Sequence, residues 1–102
     1  MPQFIKAAKK HDIPEGTGVV SDCNGTPVAI FNIGGNFYAI HNTCAHRGGP
    51  LGEGECEGTV VTCPWHGWQY DVTTGCNPEN SNVKVAKFNV KVEGDDVFVE
   101  VS

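Results

Sequence analysis

Short segments rich in Val, Ile, Phe and Thr are separated by glycines and prolines along much of the chain, which is typical of short β-strands joined by tight turns. The clearest pair of segments, Pro27 to Ile33 and Asn36 to His41, flanks Gly34-Gly35 and predicts a hairpin. Two further strands are predicted at Thr59 to Cys63 and at Trp68 to Val72.

In the last third of the chain, hydrophobic and polar residues alternate with one interruption. Val83 and Val85 are followed by Phe88, Val90 and Val92, so the alternation slips at Ala86-Lys87 and predicts a bulge or a bend there. Gly94-Asp95-Asp96 then turns the chain into a last strand that ends with Val97-Phe98-Val99-Glu100-Val101. Only the segment around Lys6 to Asp12 has helical character, and it is short.

These elements predict an all-β protein, with one domain over residues 1–102 and an irregular, glycine-rich excursion from about Asn42 to Asn82. The longest apolar run, Val28 to Phe31, is far shorter than the roughly 20 residues of a membrane span. The first residues lack the apolar segment of a signal peptide, so we expect a cytoplasmic protein whose cysteines stay reduced unless a metal binds them.

The net charge of −5 argues against a nucleic-acid partner, because such partners are bound by Lys and Arg. Glu53, Glu55 and Glu57 lie within the excursion. They are typical of a solvated face that keeps a protein soluble, and they could also attract a basic protein partner.

Candidate chemistry is concentrated in the excursion, where Cys44-Ala45-His46 and Cys63-Pro64-Trp65-His66 are separated by 16 residues. Two thiolates and two imidazoles can hold either a tetrahedral zinc ion or an iron–sulfur cluster. Zinc sites usually take two cysteines from one loop and two histidines from another. Here each loop supplies one of each, which suits a two-iron cluster with both cysteines on one iron and both histidines on the other.

This motif resembles that of the Rieske iron–sulfur proteins, and the resemblance extends through "FYAIHNTCAH" before it and "VKVEGDDVFVEV" after it. The matching residues are Cys44, His46, Arg47, Gly48, Cys63, Pro64, His66, Gly67 and Tyr70. The resemblance implies an antiparallel β sandwich or barrel with a small subdomain of glycine-rich loops. It also implies one [2Fe–2S] cluster per chain, held by Cys44, His46, Cys63 and His66.

The two histidines explain why such a cluster accepts an electron easily. Two ferric ions, two sulfides and two thiolates sum to zero charge when the other ligands are neutral imidazoles, whereas four thiolates would give −2. The reduction potential is therefore raised above that of all-cysteine clusters, to about −150 to +300 mV.

Departures from the high-potential Rieske proteins indicate a potential near the bottom of that range. Those proteins carry a disulfide across the cluster, where this chain has Gly49 or its neighbour, and Trp65. They also carry a serine donor where this chain has Trp68, whereas Tyr70 matches the family's other hydroxyl donor. The chain is thus similar to the soluble Rieske-type ferredoxins that serve bacterial aromatic-ring dioxygenases.

The resemblance implies a monomeric one-electron carrier between a flavin-containing, NAD(P)H-dependent ferredoxin reductase and a terminal oxygenase. The chain has no dinucleotide-binding fingerprint, so we expect a carrier and not an enzyme. Two alternatives remain open: a small subunit of an assimilatory nitrite reductase, and an interaction module stapled by zinc.

Outside the motif, we interpret most chemically active side chains as structural. Free thiols are predicted for Cys23, Cys56 and Cys76, which show no partner pattern. We expect His41 to be structural or superficial and His11 to be exposed.

Three further residues are expected to lie around the cluster. Trp65 is interpreted as part of an apolar rim for a partner and Trp68 as hydrophobic cover. The resemblance assigns Pro78 to a third loop that covers the cluster.

Overall fold

The computed structural model describes residues 3–23, 25–43, 49–65 and 67–101, so Cys44, His46 and His66 lie outside the described residues. Nine strands are described in chain order: β1 Gln3–Lys9, β2 Gly18–Cys23, β3 Thr26–Ile33, β4 Asn36–His41, β5 Glu55–Glu57, β6 Val60–Thr62, β7 Gln69–Asp71, β8 Lys87–Glu93 and β9 Asp96–Val101. Two short 3₁₀ helices, Lys10–Asp12 and Leu51–Glu53, connect them.

Six strands form one antiparallel sheet in the order β1-β9-β8-β4-β3-β2. The sheet curls until its two outer strands meet. The contact is seen in the Ser21 hydroxyl on β2, which donates to the Ala7 carbonyl on β1 at 2.9 Å. The result is nearly a closed barrel, and the prediction of an all-β fold of this type is confirmed. Among the described residues, no helix is long and apolar enough to cross a membrane.

Strand β3 is buried on both of its faces, which explains why its sequence is continuously apolar from Val28 to Phe31. Val28 and Ile30 point into the barrel, where they form the barrel core. Ala29 and Phe31 point the opposite way into a second cluster, which we call the interface core. The other buried members of the interface core are Ile40, Leu51, Val61, Cys63, Tyr70 and Val72.

The excursion contains a small antiparallel sheet in the order β5-β6-β7, and this sheet supplies Val61 and Tyr70 to the interface core. The excursion is therefore held by apolar burial against β3 and β4. The barrel strands supply three of the eight buried residues of the interface core, Ala29, Phe31 and Ile40.

The predicted hairpin is confirmed as β3 and β4, with Ile33 paired to Asn36 across Gly34-Gly35. At Ala86-Lys87 the structure has a junction between the excursion and the barrel, instead of the predicted bulge or bend. The Val85 N–H donates to the Gly75 carbonyl at 2.9 Å within the excursion, whereas the Ala86 carbonyl accepts from His41 N–H at 2.8 Å on the barrel. Strand β8 then starts at Lys87.

The helical character around Lys6 to Asp12 was wrong for most of that segment, because β1 continues to Lys9 and only Lys10–Asp12 is a 3₁₀ helix. The pairing of β1 with β9 shifts register between Lys6 and Ala8. Such a bulge breaks the alternation of buried and exposed residues, which hides a strand from pattern analysis. Strands β2 and β5 were also missed by the sequence analysis.

Phe31→Ala tests the interface core. Phe31 is fully buried between barrel and excursion, so we expect the substitution to cost about 3–5 kcal/mol in the free energy of unfolding. Phe4→Ala is the matched control, because Phe4 lies on the outer face of β1 with 39% exposure and should cost about 1 kcal/mol or less. Urea unfolding followed by tryptophan fluorescence measures both, and equal costs would contradict this packing scheme.

Candidate metal centre

The second loop, residues 63–68, closes the hairpin between β6 and β7. At its base the Cys63 N–H donates to the Trp68 carbonyl at 2.7 Å, which extends the strand pairing by one step. The Gly67 N–H donates back to the Cys63 carbonyl at 3.1 Å, and Gly67 adopts a left-handed conformation at φ +75°. Glycine adopts this conformation at little cost, so Cys63 is held at the root of a tight turn.

Cys63 and Trp65 occupy opposite environments although they are two residues apart. The Cys63 side chain belongs to the interface core, and the residue is 2% exposed. Trp65 is 58% exposed, the largest exposure among the described large hydrophobic residues. The second loop therefore keeps its thiol inside the protein and presents an aromatic ring to the solvent.

The first loop, residues 44–49, has its own paired base. Thr43 and Pro50 form an antiparallel bridge, and the Leu51 N–H donates to the Asn42 carbonyl at 2.7 Å. The Asn42 side-chain oxygen accepts from Gly52 N–H, also at 2.7 Å. Asn42 is thus a structural residue of the site that the sequence analysis missed, although an Asn two positions before a ligand loop is a turn signal.

The two loops meet at Gly49. A Cβ atom at this position would lie 2.6 Å from Cys63 Sγ and 3.1 Å from the nearest atom of the Trp65 ring. Because no side chain fits in that space, the first loop can approach the Cys63 thiol only with glycine at position 49.

These observations fit a metal centre shared by the two loops. A buried thiol faces the end of the loop that carries Cys44 and His46 in sequence, and His66 follows Cys63 by three positions. Across residues 3–23, 25–43, 49–65 and 67–101, no three His, Cys, Asp or Glu side chains converge as an alternative metal site. The donor set of two thiolates and two imidazoles is the one that a Rieske [2Fe–2S] cluster requires.

The remaining cysteines are free thiols, as predicted. Burial raises the pKa of the Cys23 thiol, an effect that the hydrogen bond to Ser21 opposes and the nearby Asp22 charge reinforces. Burial also raises the pKa of the Cys56 thiol. Both therefore stay protonated at neutral pH and are poor metal ligands. The Cys76 thiol donates to the Thr74 carbonyl at 3.8 Å.

The histidines in the described part of the chain are also accounted for. His41 Nδ1 accepts a hydrogen bond from Thr43 N–H at 3.1 Å, which confirms a structural role beside the first loop. His11 is exposed, as predicted, and lies 3.6 Å from the Asp12 carboxylate.

The aromatic residues around the second loop divide as the sequence suggested. Trp68 packs on the interface core and is cover, whereas Trp65 is exposed. Tyr70 is fully buried in the same core as Cys63, and its donation to a cluster ligand stays a prediction. Glu53 and Glu55 border a shallow cleft together with Cys63, Pro64 and Gly67, so carboxylates lie close to the second loop.

Comparison with known proteins identifies a family and sequence relatives that match nearly the whole chain. The Rieske [2Fe–2S] domain family matches residues 3–99. The ferredoxin component of a naphthalene 1,2-dioxygenase system from Pseudomonas aeruginosa is 33% identical over 98% of this chain and 97% of its own length.

Two solved structures extend the comparison. The ferredoxin in a complex of reduced oxygenase and oxidised ferredoxin of carbazole 1,9a-dioxygenase is 33% identical, with a TM-score of 0.85 over 94% of this chain and 91% of that one. A putative NADH-dependent nitrite reductase small subunit from Mycobacterium tuberculosis gives a TM-score of 0.91 over 100% of this chain and 97% of that one. At 18% identity, the latter shows a shared fold alone.

Gly49→Ala tests the contact between the loops. The added methyl group would overlap Cys63 Sγ, so the loops must separate, and we expect iron content after purification to fall at least by about half. Gly34→Ala is the control, because it adds the same methyl group in an open turn at φ +61° and should cost about 1 kcal/mol of stability without loss of iron. Iron and sulfide analysis of both proteins decides, and full iron content in Gly49→Ala would contradict the close approach.

Proposed function

Because the chain belongs to the Rieske [2Fe–2S] domain family, we propose that it is a one-electron carrier whose cluster is held by Cys44, His46, Cys63 and His66. It would accept electrons from a flavin-containing, NAD(P)H-dependent ferredoxin reductase and deliver them to a terminal oxygenase. The observation that carries the proposal is the second loop, which buries the Cys63 thiol and exposes Trp65 two residues away.

This arrangement meets the two requirements of a carrier. When bound, a [2Fe–2S] cluster supplies reversible one-electron oxidation and reduction. The interface core and Gly49 keep water away from the Cys63 sulfur, which favours a stable thiolate–metal bond. The exposed end of the loop leaves an apolar contact point for a partner. A transient electron-transfer contact is small, so one exposed aromatic ring is a substantial part of it.

The relatives support the choice of partners. The 33% identical sequence relative is named as a ferredoxin component of a dioxygenase system, and the 33% identical structure is described in complex with its oxygenase. Both support a role as the electron-transfer component of such a system. The nitrite reductase alternative has weaker support, because its structural likeness comes with 18% identity.

Cluster identity and ligand assignment can be tested together. The wild-type protein should be red-brown and contain two irons and two acid-labile sulfides per chain. The family resemblance implies that the EPR signal of its reduced form has an average g value below that of all-cysteine clusters. His66→Cys replaces a neutral ligand by an anion, so any assembled variant should have a lower reduction potential.

His11→Cys is the matched control for that experiment, because His11 is exposed on the 3₁₀ helix Lys10–Asp12 and lies outside the motif. It should leave iron content and potential close to those of the wild type. A colourless protein with one zinc would reject the proposed function. An unchanged potential in His66→Cys would reject the assignment of His66 to iron.

Charge supports a basic partner surface. Residues 42–82 contain five carboxylates and one arginine, so four of the five net negative charges of the chain lie in the excursion. Glu53, Glu55 and Glu57 are all exposed, and the last two lie on β5, at one edge of the small sheet. Carboxylates grouped in this way accelerate association with a positively charged partner.

Trp65→Ala should slow electron transfer to the oxygenase while the reduction potential changes little, because the ring supplies contact area and not a ligand. Replacing Glu53, Glu55 and Glu57 by Gln should slow association mainly at low ionic strength, since screening limits their reach to about 8 Å at physiological salt. Stopped-flow kinetics at several salt concentrations measure both effects. Val20→Ala, which truncates an exposed apolar residue on β2, is the control. Rates that depend on neither change would place the docking face elsewhere.

A further inference from the structure

Asn77 is half-buried and makes hydrogen bonds with both its side chain and its backbone. Its side-chain nitrogen donates to the Gln69 carbonyl at 2.9 Å. Its side-chain oxygen accepts from the N–H groups of Glu79 at 2.9 Å and Asn80 at 3.0 Å. Its own N–H donates to the Val83 carbonyl at 2.8 Å. One amide side chain thus organises the third loop, residues 76–83, and ties it to β7.

The bond to the Gln69 carbonyl takes the place of a hydrogen bond that a neighbouring strand would make. Val61 pairs with Tyr70, and the Cys63 N–H bonds to the Trp68 carbonyl, so the hydrogen-bonded positions between β6 and β7 are alternate ones. By this alternation the Gln69 carbonyl points away from β6, toward the outer edge of β7. There the Asn77 side chain supplies the donor that a further strand would otherwise provide.

The third loop also borders the second loop directly. Gly67, Trp68 and Gln69 line one side of a shallow cleft, and the other side is formed by the third loop with Asn77, Glu79, Asn80 and Val83. Asn77 bonds to the carbonyl of Gln69, the residue that directly follows the second loop. A change in this bond therefore acts where the second loop enters β7.

We propose that Asn77 is a positioning residue, which holds the third loop against the second loop and thereby slows the loss of the cluster and limits the access of water to it. The inference rests on the proposed cluster site and adds a residue outside the four ligands. Asn77 acts through the backbone of Gln69.

Asn77→Asp removes the hydrogen bond to the Gln69 carbonyl and keeps the hydrogen bonds within the third loop. The carboxylate can still accept from Glu79 and Asn80 N–H, but it cannot donate to the Gln69 carbonyl. Asn80→Asp is the matched control, because it adds the same charge to the same loop and keeps the local bond that Asn80 accepts from Asn82 N–H at 3.0 Å. The cluster-loaded proteins are incubated with an iron chelator, and loss of visible absorbance gives the rate of cluster release.

We expect release from Asn77→Asp to be at least about fivefold faster than from Asn80→Asp, since one hydrogen bond of ordinary strength is lost. The midpoint potential of Asn77→Asp should be the higher of the two. Water stabilises the extra negative charge of the reduced site, and the added carboxylate is common to both variants. Hydrogen exchange in Asn77→Asp should be faster at the Asp71 amide, whose bond to the Cys76 carbonyl joins β7 to the third loop. The Glu79 and Asn80 amides keep their acceptor, and β3 and β4 should be unchanged.

Equal release rates and equal potentials in iron-loaded variants would reject the role of Asn77 and leave the proposed function standing. A wild-type protein that binds no iron would reject both. If Asn77→Asp assembles no cluster, hydrogen exchange decides. Wild-type protection of β3 and β4 would support a local positioning role, whereas its loss would show that Asn77 serves folding in general and would overturn the inference.

Discussion

The burial of β3 on both faces is the constraint on which the rest of the structure depends. Val28 and Ile30 complete the barrel core, and Ala29 and Phe31, between and after them, complete the interface core. A single strand therefore couples the stability of the barrel to the position of the small sheet. Since Cys63 and Tyr70 are members of the interface core, the second loop inherits its placement from the barrel.

The two loops combine a rigid base with an exposed end. Each starts from paired backbone, Thr43 with Pro50 and Cys63 with Trp68, and they meet where Gly49 faces the Cys63 sulfur. Rigid support of a redox site limits the structural change that accompanies electron transfer. Exposure at Trp65 leaves room for a partner to approach without disturbing that support.

The sequence was sufficient for the elements that have a clear turn signal or a regular alternation. The hairpin of β3 and β4 follows from Gly34-Gly35, and the hairpin of β8 and β9 follows from their alternation and from the turn at Gly94. Strand β1 was not predictable in this way, because its bulge between Lys6 and Ala8 interrupts the alternation.

The candidate site shows the same division. The four proposed ligands are recognisable because their residue types and spacing are dictated by the chemistry of a mixed cysteine and histidine cluster. Gly49 could be named from the sequence, but not its contact with Cys63, because that contact depends on the approach of two loops. Asn77 was missed because it bonds to the backbone carbonyl of Gln69, and every residue type has such a carbonyl.

The contact between Gly49 and Trp65 has a consequence for how this protein responds to its chemical surroundings. By resemblance, high-potential Rieske proteins carry a disulfide near these two positions, whereas here a glycine and an indole ring fill the space by shape alone. A covalent cross-link opens when reducing thiols are abundant, but a packed ring does not. The joint between the two loops is therefore indifferent to the thiol–disulfide balance of its environment.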